Sequence, residues 1–174
     1  LHINIHEMWG RVSRKFQAHP ERLAVVRVLV ENGLSVRGGR IYCNEIEIPD
    51  SKIAKVAGVD RRTVAAAIAA IESDPDLRPL FEGLRSAGHS LKGIARQLGL
   101  GVLEITPLDA RTPGILAAAA SLLANKGISV RQAIVDDPEL APEPKLTLIA
   151  EGPIPAELIP EFLKIRGVAK VSIY

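Results

Sequence analysis

Apolar residues recur along this chain at two periods, first helical and then mostly alternating. After His19-Pro20, residues 21–32 place Leu23, Val26, Leu29 and Val30 at helical spacing, and Gly33 supplies a stop. Residues 40–48 read as one short extended stretch, with Ile41, Ile46 and Ile48 partly alternating with polar residues and Pro49 closing it. Asp50-Ser51 then forms a capping pair for a short helix over residues 52–57. Gly58-Val59-Asp60 makes a turn, and residues 61–72 form a second helix capped by Asp60. Ser73-Asp74-Pro75 ends that element. Two further helical pieces, 77–85 and 91–98, are divided by Ala87-Gly88-His89, and Gly99-Leu100-Gly101 closes the helical region. Ile53-Ala54 with Gly58, and Ile94-Ala95 with Gly99, share one spacing, which two short amphipathic helices each stopped by glycine explain.

Beyond Gly101 the period changes. Strands are predicted over 102–106, 128–135, 146–151 and 168–174; in the last, Ala169, Val171 and Ile173 oppose Lys170, Ser172 and Tyr174. Helices are predicted over 113–126 and 155–165, burying Ile115, Ala119, Leu122 and Leu123 in one and Leu158, Ile159 and Phe162 in the other. Pro113 and Pro155 sit near the helix starts, and Gly127 and Gly167 lie just past the ends. Two βαβ units with both helices on one sheet face make a ferredoxin-like domain. The expected fold is α+β: a helical, helix-turn-helix-like domain over residues 8–100, then a βαββαβ domain over 101–174.

Composition narrows what such a chain can do. Aromatic residues are only 3% of the whole, so the cores rest on Ile, Leu, Val and Ala, and single-stranded nucleic acid has few rings to stack on. Residues 1–100 carry 15 Lys and Arg against 11 Asp and Glu (net +4), and residues 101–174 carry 7 against 9 (net −2). That balance permits contact with nucleic acid without demanding it. Cys43 stands alone, so no intrachain disulfide can form and a reducing, cytoplasmic setting is expected. No apolar run approaches the roughly 20 residues that span a bilayer, and the N-terminus does not resemble a signal peptide. Met8 is the only methionine and the expected natural start, which leaves residues 1–7 as an upstream extension.

Two segments could carry chemistry. In the turn Asp109-Ala110-Arg111-Thr112-Pro113-Gly114, Gly114 lets a ligand approach the backbone, and the free amides of the helix start favour a carboxylate. Asp109 could accept from an amino group, and Thr112 could instead cap the helix. A βα turn that needs Pro and Gly only for its geometry accounts for the same residues. The second segment is 52–72, where Ile53-Ala54, Gly58-Val59, Thr63-Val64 and Ile68 match a helix-turn-helix: small Ala54 lets the helices cross, and Val59, Val64 and Ile68 pack inward. Lys52, Lys55, Arg61, Arg62 and Thr63 would then face double-stranded DNA. Ala65, Ala66, Ala69 and Ala70 on the second helix cannot hydrogen-bond base edges, so the same helices could equally serve dimerisation or docking. Asp136-Asp137-Pro138-Glu139 and Glu143 read as a solvated acidic loop rather than a hard-metal site. Cys43 with Glu45, Glu47 and His19 lacks the paired spacing of a zinc site. No nucleophile elbow, phosphate-binding glycine loop or paired-histidine motif occurs, so neither catalytic residue nor cofactor nor metal is expected.

Leu108-Asp109 through Pro113-Gly114-Ile115-Leu116, then Ala118 to Leu123 and Gly127-Ile128-Ser129-Val130, resemble an ACT domain, a ferredoxin-like module that pairs side by side and binds amino acids at the seam. The resemblance implies a homodimer whose ligand touches Asp109, Arg111, Thr112, Pro113, Gly114 and Ile115 of one copy and Ser129 and Gln132 of the other. Ala110 to Thr112 lengthen this turn beyond the family's shortest form. Over residues 8–174 the chain resembles small archaeal proteins described as predicted regulators of amino-acid metabolism, which join a helix-turn-helix region to an ACT domain. The blocks Ile41-Tyr42-Cys43 with Glu45-Ile46-Glu47-Ile48-Pro49-Asp50, Lys52-Ile53-Ala54 with Ala57-Gly58-Val59-Asp60-Arg61-Arg62, and Asp136-Asp137-Pro138-Glu139-Leu140 with Pro142-Glu143-Pro144-Lys145-Leu146 carry that likeness. It implies a ligand-responsive regulator with an amino acid or related metabolite as effector. The alternative is a regulatory subunit that docks onto a biosynthetic enzyme without touching DNA.

Overall fold

The computed structural model describes residues 8–141 and 143–174. The expected upstream extension, residues 1–7, lies outside the described residues, as does Pro142. The chain is α+β, with helices and two antiparallel sheets, and it divides into two units between Gly88 and His89. No helix among the described residues is long and apolar enough to cross a membrane.

In the first unit, α1 (Met8–Phe16) and α2 (Pro20–Glu31) precede three strands, β1 (Leu34–Arg37), β2 (Arg40–Cys43) and β3 (Ile46–Ile48). Helices α3 (Asp50–Ala57), α4 (Arg61–Glu72) and α5 (Leu77–Gly83) follow. Helix α2 packs against both α3 and α4, and Val26, Leu29, Ile53, Val64, Ile68 and Ile71 are buried. Residues 40–48 are not one extended stretch. They are two strands of a meander, because Asn44 takes a positive φ of 54° and turns the chain between β2 and β3. Gly38 and Gly39, at φ 56° and 75°, make the turn before β2. Asp50 is the first residue of α3 rather than its cap; Pro49 holds the cap position, and the Asp50 carboxylate sits in the first turn, where the helix dipole favours it. Helix α1 was not anticipated, although its sequence is amphipathic: Val12 and Phe16, four residues apart, are both buried on one face.

In the second unit the order is β4 (Gly101–Pro107), α6 (Ile115–Asn125), β5 (Val130–Val135), β6 (Leu146–Ala150), α7 (Ile159–Leu163) and β7 (Val168–Ile173). The strands lie in the sequence β5-β6-β4-β7, and every neighbouring pair is antiparallel. Strand alternation sends Leu103, Ile105, Leu146 and Leu148 to one face, where they meet Ile115, Ala119, Leu123, Leu158 and Phe162 of the helices. The helix expected over 155–165 is shorter: a 3₁₀ turn, Ala156–Leu158, runs into α7, because Pro160 at the start of α7 cannot continue a preceding helix. Strand β5 begins at Val130 because the Ile128 amide still bonds back to the Leu123 carbonyl beyond α6. Ala169 is exposed, against the expected alternation, because the β4–β7 register slips between Thr106 and Pro107.

Residues 91–98 are not an α-helix but two 3₁₀ turns, Lys92–Ile94 and Arg96–Leu98. They cover the sheet face opposite α6 and α7: Ala95 is buried against Val102 and Ile149, with Leu91 and Leu100 packed beside them. The units therefore part ahead of the Gly99-Leu100-Gly101 stop. The shared glycine spacing has a common local geometry. Gly58 and Gly99 take φ 69° and 68°, and the amides of Val59 and Leu100 bond back to the carbonyls of Ala54 and Ala95.

Phe162 is fully buried among Leu103, Ile105 and Leu158. Phe162→Ala is expected to lower the unfolding free energy by about 3–5 kcal/mol in urea denaturation followed by circular dichroism.

Candidate functional site

The turn between β4 and α6 is built by its own side chains. The Asp109 carboxylate accepts from the Arg111 amide at 2.9 Å, and the Thr112 amide donates to the Asp109 carbonyl at 3.0 Å. The Leu108 amide reaches the Gly167 carbonyl at 2.8 Å, which ties the turn to the start of β7. Thr112 packs against Gly167 so closely that a Cβ there would lie 2.7 Å from the Thr112 methyl. Thr112 does not cap α6. Gly114, at φ 91°, is the cap residue, and no side chain bonds the first amides.

Beside this turn is a cavity of about 170 Å³, lined in part by Thr112, Gly114, Ile115 and Leu116 and, across from them, by Val135 and Leu146. Asp136 and Lys145 also line it. Asp109 and Arg111 lie instead along an adjoining depression with Pro138 and Glu143. There the Arg111 guanidinium meets Glu139 at 3.2 Å, joining the turn to the acidic β5–β6 loop. Pro113 is exposed and lines neither hollow. Ser129 and Gln132 are also elsewhere. The Ser129 carbonyl accepts from Glu151, while the Gln132 amide group donates to the His89 carbonyl at 2.7 Å and accepts from the Leu91 amide at 2.8 Å. Leu116, Val135 and Asp136 were not anticipated. Alternation from Val130 would put Val135 on the opposite face; the register shift between Val130 and Gln132 instead pairs Val135 with Leu146 on the helix-covered face, which the sequence does not signal.

The opposite face of the sheet holds a buried acid. Glu104 is 7% exposed; one oxygen takes the Lys92 ammonium at 2.5 Å and the other the Tyr174 hydroxyl at 2.8 Å. Burial pushes this carboxyl up, but the bonds from Lys92 and Tyr174 outweigh it and hold the group below its usual 4.5. Lys92 thereby fastens the 3₁₀ turns to the sheet.

In the first unit, α3 and α4 are joined by Gly58-Val59-Asp60, and Asp60 caps α4 by accepting from the Thr63 amide at 2.7 Å. Lys52, Lys55, Arg61 and Arg62 are exposed, and Thr63 is half-buried against its cap. Arg62 and Thr63 share a cleft of about 450 Å³ with His19 and Arg22, where the amino-terminal ends of α2 and α4 converge. His19 and Arg22 were missed because only the fold brings the two helix starts together. Ala65 and Ala69 occupy the exposed side of α4, with no polar atoms beyond the backbone. Among the described residues, no group of three or more His, Cys, Asp or Glu is placed to hold a metal ion.

The chain matches no family model and no curated protein. Among solved structures, a single-site mutant of Rv3291c is similar over 88% of this chain and 90% of its own, with 19% identity and a TM-score of 0.28. The Mycobacterium tuberculosis leucine response regulatory protein, LrpA, is similar over 90% of both chains, with 19% identity and a TM-score of 0.27. Likeness this loose carries no argument about the present chain.

A carboxyl held below its unfolded pKa stabilises the fold above that value and loses the contribution as pH falls through the folded one. The stability of the chain is therefore expected to fall as pH drops below about 4.5, and Glu104→Gln to flatten that fall, in urea melts run at stepped pH. Equal slopes would mean that Glu104 is not held as described.

Proposed function

We propose that this chain is a ligand-responsive regulator of amino-acid metabolism. In this reading the unit from His89 to Tyr174 is a ferredoxin-like, ACT-type sensor that binds an amino acid or related small metabolite and pairs with a second copy. The unit ending at Gly88 is a helix-turn-helix that contacts double-stranded DNA through Lys52, Lys55, Arg61 and Arg62. The protein would be cytoplasmic, would need no cofactor and would catalyse no reaction. A domain boundary at Gly88 rather than near residue 100 assigns the 3₁₀ turns to the sensor.

The observation that carries most weight is the cavity beside the Gly114 turn in a βαββαβ unit, on the same chain as a capped helix pair with an exposed basic start. A regulator needs both parts: a small-molecule pocket and a surface that can neutralise phosphates. Thr112, Gly114 and Ile115 remain the favoured contacts in one protomer. Asp109 and Arg111 shape the turn beside them. Ser129 and Gln132 come from the second copy only if pairing frees Gln132 from residues 89 and 91.

A second reading is supported by the alanine face of α4. Ala65 and Ala69 offer base edges nothing to bond, whereas they suit close packing against another protein, so the first unit could dock onto a biosynthetic enzyme instead.

Salt dependence separates the two. A DNA-contacting unit should bind duplex with an affinity that falls steeply as salt rises, and Arg61→Ala with Arg62→Ala should reduce the log–log slope by about 2. Fluorescence anisotropy with labelled duplex reads both quantities. Absence of duplex binding at low salt would overturn the DNA reading, and co-purification with a metabolic enzyme would then favour docking.

A further inference from the structure

Residues 89–98 lie against the sheet of the second unit without joining it as a strand. Their backbone bonds stay within the segment. The amides of Ile94, Ala95 and Leu98 reach carbonyls three residues back at 3.1, 3.4 and 3.1 Å, the poorer geometry of 3₁₀ turns. Side chains do the fastening. Gln132 of edge strand β5 holds the His89 carbonyl at 2.7 Å and the Leu91 amide at 2.8 Å, and Lys92 reaches Glu104 of β4. Ala95 alone among residues 89–98 is buried, while Lys92, Ile94, Arg96, Gln97 and Leu98 are exposed.

The two faces of the sheet differ in what uncovering them costs. Toward the helices, β4 and β6 present Leu103, Ile105, Leu146 and Leu148. On the other face the same strands and β5 present Val102 and Ile149 among Glu104, Thr147 and Gln132. Water can satisfy those polar groups, and Glu104 keeps the Tyr174 hydroxyl whether or not Lys92 is present. This face is the one that opens cheaply.

The chain on either side of Gly88 is tied down. The Ser86 amide donates to the Asn44 side-chain oxygen at 3.2 Å, and a Cβ at Gly33 would lie 2.6 Å from the Arg85 carbonyl oxygen. The first unit thus holds the chain as far as Ser86, and Gln132 holds it from His89. Ala87 and Gly88 lie between the two ties.

We propose that residues 89–98 are a releasable strap, which leaves the sheet in one step while the four strands stay paired and so lengthens the chain joining the two units. Docked, the strap restricts the untied chain to Ala87 and Gly88. Released, that chain runs from Ala87 to Leu100, up to roughly 45 Å when extended at ~3.3 Å per residue. Displacing Gln132 frees residues 89 and 91 together, because one amide group holds both. The strap does not depend on the regulator reading; it adds to that reading a means of changing the joining chain.

Native-state hydrogen exchange of the full-length chain, read by NMR, tests the release. The amides of Ile94, Ala95, Leu98, Gly99 and Leu100 are expected to exchange at least about tenfold faster than those of Leu103 and Leu148. Their rates should also rise less with added urea, since little surface is uncovered. Gln132→Met removes both bonds and no charge, and should speed all five amides by one common factor of about tenfold. Strap amides that match Leu103 and Leu148 in rate and urea dependence would overturn the release. Speeding confined to Ile94 and Ala95 would show fraying in place of one step, and no change at all would overturn the clamp. The lengthening has its own readout. Spin labels at Glu31→Cys and Glu157→Cys, both exposed and one in each unit, are combined with Cys43→Ser. Ala95→Glu sets a second carboxylate beside the buried Glu104 face and holds the strap off. It should broaden the distance distribution while the circular dichroism of the sheet persists. An unchanged distribution would overturn the lengthening.

Discussion

A carboxylate buried within a sheet must be paired, and Glu104 fixes much of the second unit by meeting that demand. Its two partners come from opposite ends of the unit: Lys92 from the segment that opens it and Tyr174 from the last residue of the chain. Satisfying the acid draws the 3₁₀ turns across the face that α6 and α7 leave open, where Ala95 reaches Val102 and Ile149. With helices on one face and those turns over part of the other, the cavity beside Gly114 opens on the helix-covered side, beside the end of edge strand β5. The position of the cavity thus follows from how the sheet is covered.

Strand β5 carries two features at once. Val135 at its end walls the cavity, and Gln132 holds residues 89 and 91 through both ends of its amide. In the proposed regulator this strand is the physical link between the ligand and the segment that leads toward Gly88. A ligand shifts that segment only to the degree that it binds one arrangement of β5 better than another. The glutamine amide is suited to such a clamp, since it donates and accepts in a single group and carries no charge to bury.

Most of the second unit was legible in the sequence because its signals are local: alternating apolar residues, Pro and Gly at helix ends, and apolar stripes at Ile115, Ala119 and Leu123. The Asp60 cap and the left-handed Gly58 were legible for the same reason. What escaped was set by tertiary contact. Residues 91–98 have helical spacing, but Lys92 and Ala95 are recruited by the sheet, and Gly93 lends the segment little helical preference. Asn44 is a weak turn signal that becomes decisive only where two strands pair across it. Of the site, Gly114 and Ile115 follow from the βα turn. Leu116, Val135, His19 and Arg22 do not, because each gains its role from an element distant in sequence. The bonds from the Gln132 side chain to the backbone of residues 89 and 91 likewise join positions distant in sequence.

The central claim is that one chain couples a small molecule to DNA, and coupling is measurable directly. Duplex affinity should be determined by fluorescence anisotropy at one fixed salt concentration, with and without a saturating amino acid that titration shows to bind, and the amino-acid affinity with and without saturating duplex. The regulator account predicts that each ligand changes the affinity of the other by the same factor, on the order of 5- to 150-fold. Two binding events that leave each other unchanged would contradict it.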